Sequence, residues 1–272
     1  MPVRDASIRR IEWRDLLPMT RGQVLNELTL SLPWLLASLW CYDTGGGWVV
    51  LGMVCSFFFF LTGLRQSHGC QHYQLPIPRR WQDAMLAALS VQMLSSMHAV
   101  QATHLNHHRH TLDEHDFEGS VARQPMWRAL LTGPLFPLRL HWHAWRLARP
   151  NKRRWIAWET LTVIGAVALL PVLPPALRWH VAAMLVGECF VGFFAVWTVH
   201  HGCDEHTPYR TQRGRWTNRL FYNMFLHTEH HLFPAVPTCK LHLLAQRIDA
   251  AEQRYRGLQV LPGLACRQGE AR

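Results

Sequence analysis

Three short groups of histidines carry the chemistry of this chain. His68 and His72 stand four apart in H-G-C-Q-H, His104, His107 and His108 share H-L-N-H-H, and His227, His230 and His231 share H-T-E-H-H. Residues three and four apart lie on one face of a helix, so each group aims its imidazoles in one direction, as a metal ion requires. Eight imidazoles so placed exceed what one ion takes, because a zinc shell closes with four ligands. The inventory therefore implies two ions. Imidazole suits iron, copper and zinc alike, so the spacing leaves the element open. His200 and His201 follow the last apolar run, and one of them can complete the site.

The elements that position these groups are apolar runs of membrane length. Four predicted spans, at about 25–42, 47–64, 157–175 and 179–199, approach the roughly 20 residues that cross a bilayer. They form two hairpins, turning at Asp43 to Gly47 and at Pro171 to Pro175. Of the 28 Lys and Arg only Arg178 falls in a turn opposite the histidines, so the positive-inside rule puts both termini and the histidine groups on the cytoplasmic side. The expected fold is all-α: a single integral membrane domain over 1–272, with a cytoplasmic helical cap made of 65–154 and 200–256. The segment from Ala84 to Val100 is apolar enough to tempt a fifth crossing, but that would separate His72 from His104 by a bilayer thickness. It is expected to lie in or dip into the interface as one helix.

Other classes fall away on composition. The net charge of +10 comes from Arg residues that flank apolar spans, a topology signal rather than a nucleic-acid patch. The first 23 residues hold no apolar h-region, so no cleaved secretory leader is expected. Seven cysteines without a C-x-x-C pair argue against a disulfide framework or a thiolate zinc site. A histidine-rich metal transporter is the alternative from another class, but transporters hold their ligands near the bilayer midplane, whereas these groups lie outside the spans.

The acidic run Asp113, Glu114, Asp116 and Glu118 follows the second group. Asp113 and Asp116 are candidate acceptors for ring N–H groups of ligand histidines, with Glu229 a further candidate. No catalytic side chain beyond the ligands is expected. Glu188 lies inside the fourth span, where an ionisable group is costly and often functional; it either lines a polar cavity or pairs with a neighbouring helix. After Pro237, Leu241, Leu244, Ala245 and Ile248 share one face of a predicted cap helix.

A metal site at the end of an apolar bundle is placed to act on a lipid chain. Unactivated C–H bonds offer no acidic proton and no electrophilic carbon, so opening them falls to a redox metal and dioxygen. The boxes H68-x-x-x-H72, H104-x-x-H107-H108 and H227-x-x-H230-H231, with the continuation H-H-L-F-P-A-V-P from His231, resemble the membrane fatty acid desaturase superfamily. The resemblance runs from about Arg65 to Asp249. It implies a fatty acyl desaturase with a histidine-ligated centre of two iron ions, O2 as oxidant, and two electrons from a separate donor such as a ferredoxin, a rubredoxin or a cytochrome b5-like protein. Hydroxylation or oxidative decarboxylation of a lipid-like substrate is the alternative within the superfamily. The resemblance also implies a further histidine ligand after the fourth span; His201 holds the register of the superfamily's Q-H pair, with His200 as the alternative. Trp197 or Val196 stands where animal acyl-CoA members place an Asn. If the chain is bacterial, the inner membrane is its expected location.

Overall fold

The computed structural model describes residues 6–204, 207–256 and 259–261, and among these the chain is helical, with no strand beyond an isolated bridge between Thr211 and Gln259. Three helices are long and apolar enough to cross a membrane: α1 (Arg21–Thr44), α2 (Trp48–Gln71) and the third, Pro175–His200. Thr20 starts α1 with a reciprocal capping box, its Oγ1 accepting from Gln23 N at 3.2 Å while Gln23 Oε1 accepts from Thr20 N at 2.9 Å. Gly45 and Gly46 then take φ of 74° and 55°, left-handed values that glycine adopts without steric cost, and so close the first hairpin.

The segment after the first histidine pair departs from expectation. It is two antiparallel helices, α3 (Arg79–Met93) and α4 (Met97–His110). They fold at an elbow where Leu94 takes φ 59° and Ser96 caps α4 by accepting from Ala99 N at 3.1 Å. The elbow reaches deep into the bundle, since His180 Nε2 donates to Gln92 O at 2.9 Å. The single interfacial helix fails because the backbone turns at a non-glycine residue. The inference that this segment returns to its starting side stands: α4 ends beside α2.

Two short helices follow, α5 (Met126–Leu131) and α6 (Phe136–Leu147), and then α7 (Pro150–Ala168) and α8 (Pro175–His200) form the second hairpin. Gly133, between α5 and α6, packs so tightly on α8 that a Cβ there would lie 2.0 Å from Cys189 O. Residues 125–147 thus reach alongside the middle of α8 rather than only capping its end. α7 does not join the membrane-length set, because Lys152, Arg153, Arg154 and Glu159 occupy its first half. Phe59, Leu86, Leu89, Met93 and Met184 form the core between α2, α3 and α8.

The last part of the chain supplies α9 (His227–Leu232) and α10 (Leu241–Ala251). Leu241, Leu244, Ala245 and Ile248 face the core of this cap together with Ile8, Leu226 and Phe233, the face read from the sequence. Arg65, at the end of α2, forms a buried ion pair with Glu27 and donates Nη1 to Tyr222 O at 2.9 Å. Gln74 Nε2 donates to Pro234 O at 2.8 Å. These bonds lock the cap onto the ends of α1 and α2, since a buried charge left without its partner is costly.

Candidate metal centre

α2 places His68 in its last turn and His72 at its C-cap, α4 supplies His104, His107 and His108, α8 ends on His200, and α9 carries His227, His230 and His231. Their ring nitrogens sort into two clusters, each with ligand atoms all within 4.8 Å of one another: His68, His72, His104, His108 and His230 in one, and His107, His200, His227 and His231 in the other. In the first, Nε2 of His104 lies 3.0 Å from that of His72 and 3.2 Å from that of His108, which lies 3.0 Å from that of His230. The clusters abut through His108 and His231, whose rings stack with centroids 4.0 Å apart. Adjacent positions on α4 and on α9 feed different clusters, which is why each helix needs a doubled histidine.

The donor set fits cations. His200 Nδ1 donates to Pro208 O at 2.8 Å, and a carbonyl only accepts, so its Nε2 presents a lone pair. That lone pair faces Nε2 of His107 at 3.0 Å and of His227 at 2.8 Å. Neutral imidazole has one N–H, so such crowding of acceptors is relieved by an ion that takes their lone pairs. Nδ1 of His68 and of His230, and both ring nitrogens of His231, are buried without a hydrogen-bond partner, and a group of unpaired buried polar atoms calls for a ligand. Burial, reinforced by neighbouring imidazoles, holds His72, His108, His227, His230 and His231 well below the ordinary imidazole range. They are neutral, the form that ligates a metal.

Asp116 lies against a clustered histidine. Its Oδ2 accepts from His107 Nδ1 at 2.7 Å and from Leu112 N at 2.8 Å, and its Oδ1 from Gly119 N at 2.9 Å. Burial pushes its carboxyl up, but His107 and these two N–H groups outweigh burial and hold it below the usual value. Burial likewise opposes the proton on His107, and Asp116 with Glu118 reverses the balance and holds that imidazole above its ordinary range. Fixing the proton on Nδ1 leaves Nε2 for an ion and raises its basicity.

Three expectations need correction. His201 does not join either cluster: its Nδ1 donates to Ala122 O at 2.8 Å and its ring stacks on Trp197 at 4.2 Å. A π turn over Phe193–Trp197 re-phases α8, and the chain leaves the helix at His201 with ψ 132°. The doublet therefore splits, with His200 inward and His201 aside. Asp113 touches no clustered histidine; it accepts from His110 Nδ1 at 2.9 Å and from His115 N at 2.7 Å, because Leu112, at φ 64°, reverses the chain and brings Asp116 back instead. Glu229 also turns away, accepting from Thr211 Oγ1 at 2.7 Å and pairing with Arg213 Nη2 at 2.7 Å. It stands one position off the histidine face of α9.

Sequence reading missed two acceptors. Glu118 lies 3.5 Å from His104 Nδ1 and accepts from Thr103 Oγ1 at 2.6 Å; its membership of the same acidic run as Asp116 was the available signal. The Pro208 carbonyl had none. Beside His68, His104, His227 and His230 opens a cavity of about 140 Å³ that runs between α2, α4, α6 and α8 and is walled mainly by apolar side chains such as Phe60, Leu64, Met97 and Phe136.

Membrane-length helices, nine converging imidazoles at one end of them and an apolar cavity alongside define a histidine-rich membrane protein with a metal-competent core. A search of curated proteins finds no match. The family model for fatty acid desaturases matches residues 46–260, and the chain belongs to that family. The match spans α2 through α10 and so includes every clustered histidine. Membership makes the chain an oxidoreductase of the desaturase and hydroxylase type.

Proposed function

We propose that the chain is a membrane-bound, O2-dependent fatty acyl desaturase whose two histidine clusters each hold one iron ion. The observation that carries this reading is the pair of buried imidazole clusters at the mouth of an apolar cavity within a desaturase-family bundle. His68, His72, His104, His108 and His230 would hold one ion, and His107, His200, His227 and His231 the other. When bound, iron supplies the oxidising chemistry with O2 that hydrogen abstraction from an unactivated C–H bond requires. The protein's own work is positional. Asp116 and the Pro208 carbonyl fix the Nδ1 protons of His107 and His200, Glu118 steadies His104, and the apolar wall holds a lipid chain against the clusters while excluding water. Electrons come from a separate protein.

The reading includes four crossings with the histidine end cytoplasmic. Lys152, at the start of α7, lies 3.1 Å from Asp83 and 3.2 Å from Tyr73 OH, next to His72. This supports α7 leaving the histidine end and α8 returning to it, and at 19 residues α7 covers nearly the depth of a bilayer core. The Arg-rich end is then the cytoplasmic one. The test joins metal analysis to product analysis: purified protein should carry about two iron atoms per chain, and lipids from cells that express it should contain an added double bond by mass spectrometry. Stoichiometric zinc from iron-replete cells would refute the assignment. An added oxygen or a shortened chain would move the reaction to hydroxylation or decarboxylation by the same centre.

A further inference from the structure

We propose that Glu188 makes this cavity selective for a lipid chain bearing a hydroxyl at the end distal to the reacting carbon. The inference rests on the lipid-chain reading above and deepens it. Along α8 the cavity lining begins at Glu188 and ends at Val199, one residue before His200. Glu188 therefore marks the deep end, twelve positions before His200 and roughly 18 Å along the helix at 1.5 Å per residue. Its side chain is nine-tenths buried, at 7 % exposure, and lines the cavity. Ser95, at the α3–α4 elbow, lines the cavity beside it. Around this deep end the wall contributed by α2 is Phe57, Phe60 and Leu61.

A carboxyl group offers several hydrogen-bonding positions, and around it the lining supplies Phe57, Phe60 and Leu61, which can meet none of them, with only the Ser95 hydroxyl near. A plain hydrocarbon chain filling the cavity would strip water from the remaining positions and return nothing. A chain with a terminal hydroxyl would place a donor there. Sites built to hydrogen-bond a substrate hydroxyl reject the analogue that lacks it far more strongly than apolar walls reject an added methylene. The competing role for Glu188 is a brace that holds the elbow through Ser95. A brace would affect both kinds of chain equally, whereas a selector affects one.

The test uses the full chain, iron-loaded and reconstituted in nanodiscs, with stearic acid and ω-hydroxystearic acid as probes in a direct binding assay. The wild type should bind the hydroxylated chain roughly tenfold more tightly or better. Glu188→Leu should lose that preference and bind stearic acid at least as well as the wild type does, with iron content unchanged. Should Glu188→Leu fail to fold, Glu188→Met decides: it keeps the length of the side chain but offers no N–H or O–H donor and only a weak acceptor, and the preference must fall severalfold at constant iron content. Equal binding of both chains by the wild type, an undiminished preference in Glu188→Leu or Glu188→Met, or equal weakening of both chains would overturn the proposal and leave the desaturase reading standing. Iron-loaded protein that binds neither chain would overturn both.

Discussion

Removing Asp116 tests whether the second cluster is held as its hydrogen bonds imply. The carboxylate serves three donors: His107 and the Leu112 N–H on Oδ2, and the Gly119 N–H on Oδ1. Asp116→Asn can keep its amide oxygen where Oδ2 stands, which preserves the bonds to His107 and Leu112 and sets an NH2 group against the Gly119 N–H. Asp116→Ala loses all three and frees the His107 ring to turn. Outer acceptors of ligand histidines are worth about 10- to 100-fold in metal affinity, or roughly 1.4–2.7 kcal/mol. We expect the Asn variant at the lower figure and the Ala variant at the upper. His107 serves only the four-histidine cluster, so Asp116→Ala should drop from about two irons per chain toward one during dialysis against a graded chelator, while the five-histidine cluster stays loaded. Asp113→Ala is the control, since Asp113 touches no clustered histidine. If Asp116→Ala retains both irons with wild-type chelator resistance, or loses both in parallel, the division into two clusters anchored through separate acceptors is wrong.

The remaining predictions concern other parts of the molecule. His200→Ala should lose iron and activity, whereas His201→Ala should hold its iron; the opposite order in metal analysis would refute the placement made by the π turn. Because burial, reinforced by neighbouring imidazoles, holds His72, His108 and His230 well below the ordinary imidazole value, few protons compete for the lone pairs of the five-histidine cluster, and its iron should stay bound as the pH falls through about 6.5. A release midpoint near that value would contradict the burial argument. Arg213→Ala leaves Glu229, which is 0 % exposed, without its cation; breaking a buried pair costs about 3–5 kcal/mol, and the unfolding temperature should fall by roughly 10 °C. An unchanged unfolding temperature would show that Glu229 finds another partner.

What could be read from the sequence divides according to the range of the interactions involved. Histidines three and four apart share a helix face whatever surrounds them, so the convergence of the three boxes and the face of α10 were legible from spacing. The His200–His201 choice was not, because the π turn changes the phase of α8 upstream of the doublet and leaves no mark in the spacing. Leu94 and Leu112 hide two chain reversals, since positive φ at a leucine is imposed by tertiary packing rather than announced by a glycine. The first reversal turns an expected single helix into the α3–α4 elbow. The second exchanges Asp113 for Asp116. α7 was half legible: the helix stands where a span was expected, but Lys152, Arg153, Arg154 and Glu159 in its first half keep it out of the helices apolar enough to cross a membrane.

The placement of α9 also bears on how the molecule is made. His230 serves the first cluster, and His227 and His231 serve the second, so neither cluster is complete until this late segment docks. A ribosome will have released His68, His72, His104 and His108 long before His227 is synthesised. An ion captured by the emerging chain can find four of the five imidazoles of the first cluster but only His107 and His200 of the second. The four-histidine cluster therefore depends most on α9, and an ion seated there would tie α4, α8 and α9 together as a single clasp. Binding that stitches distant segments draws its free energy from the folded state alone, so starving the cell of metal should loosen the C-terminal cap before it loosens the bundle beneath.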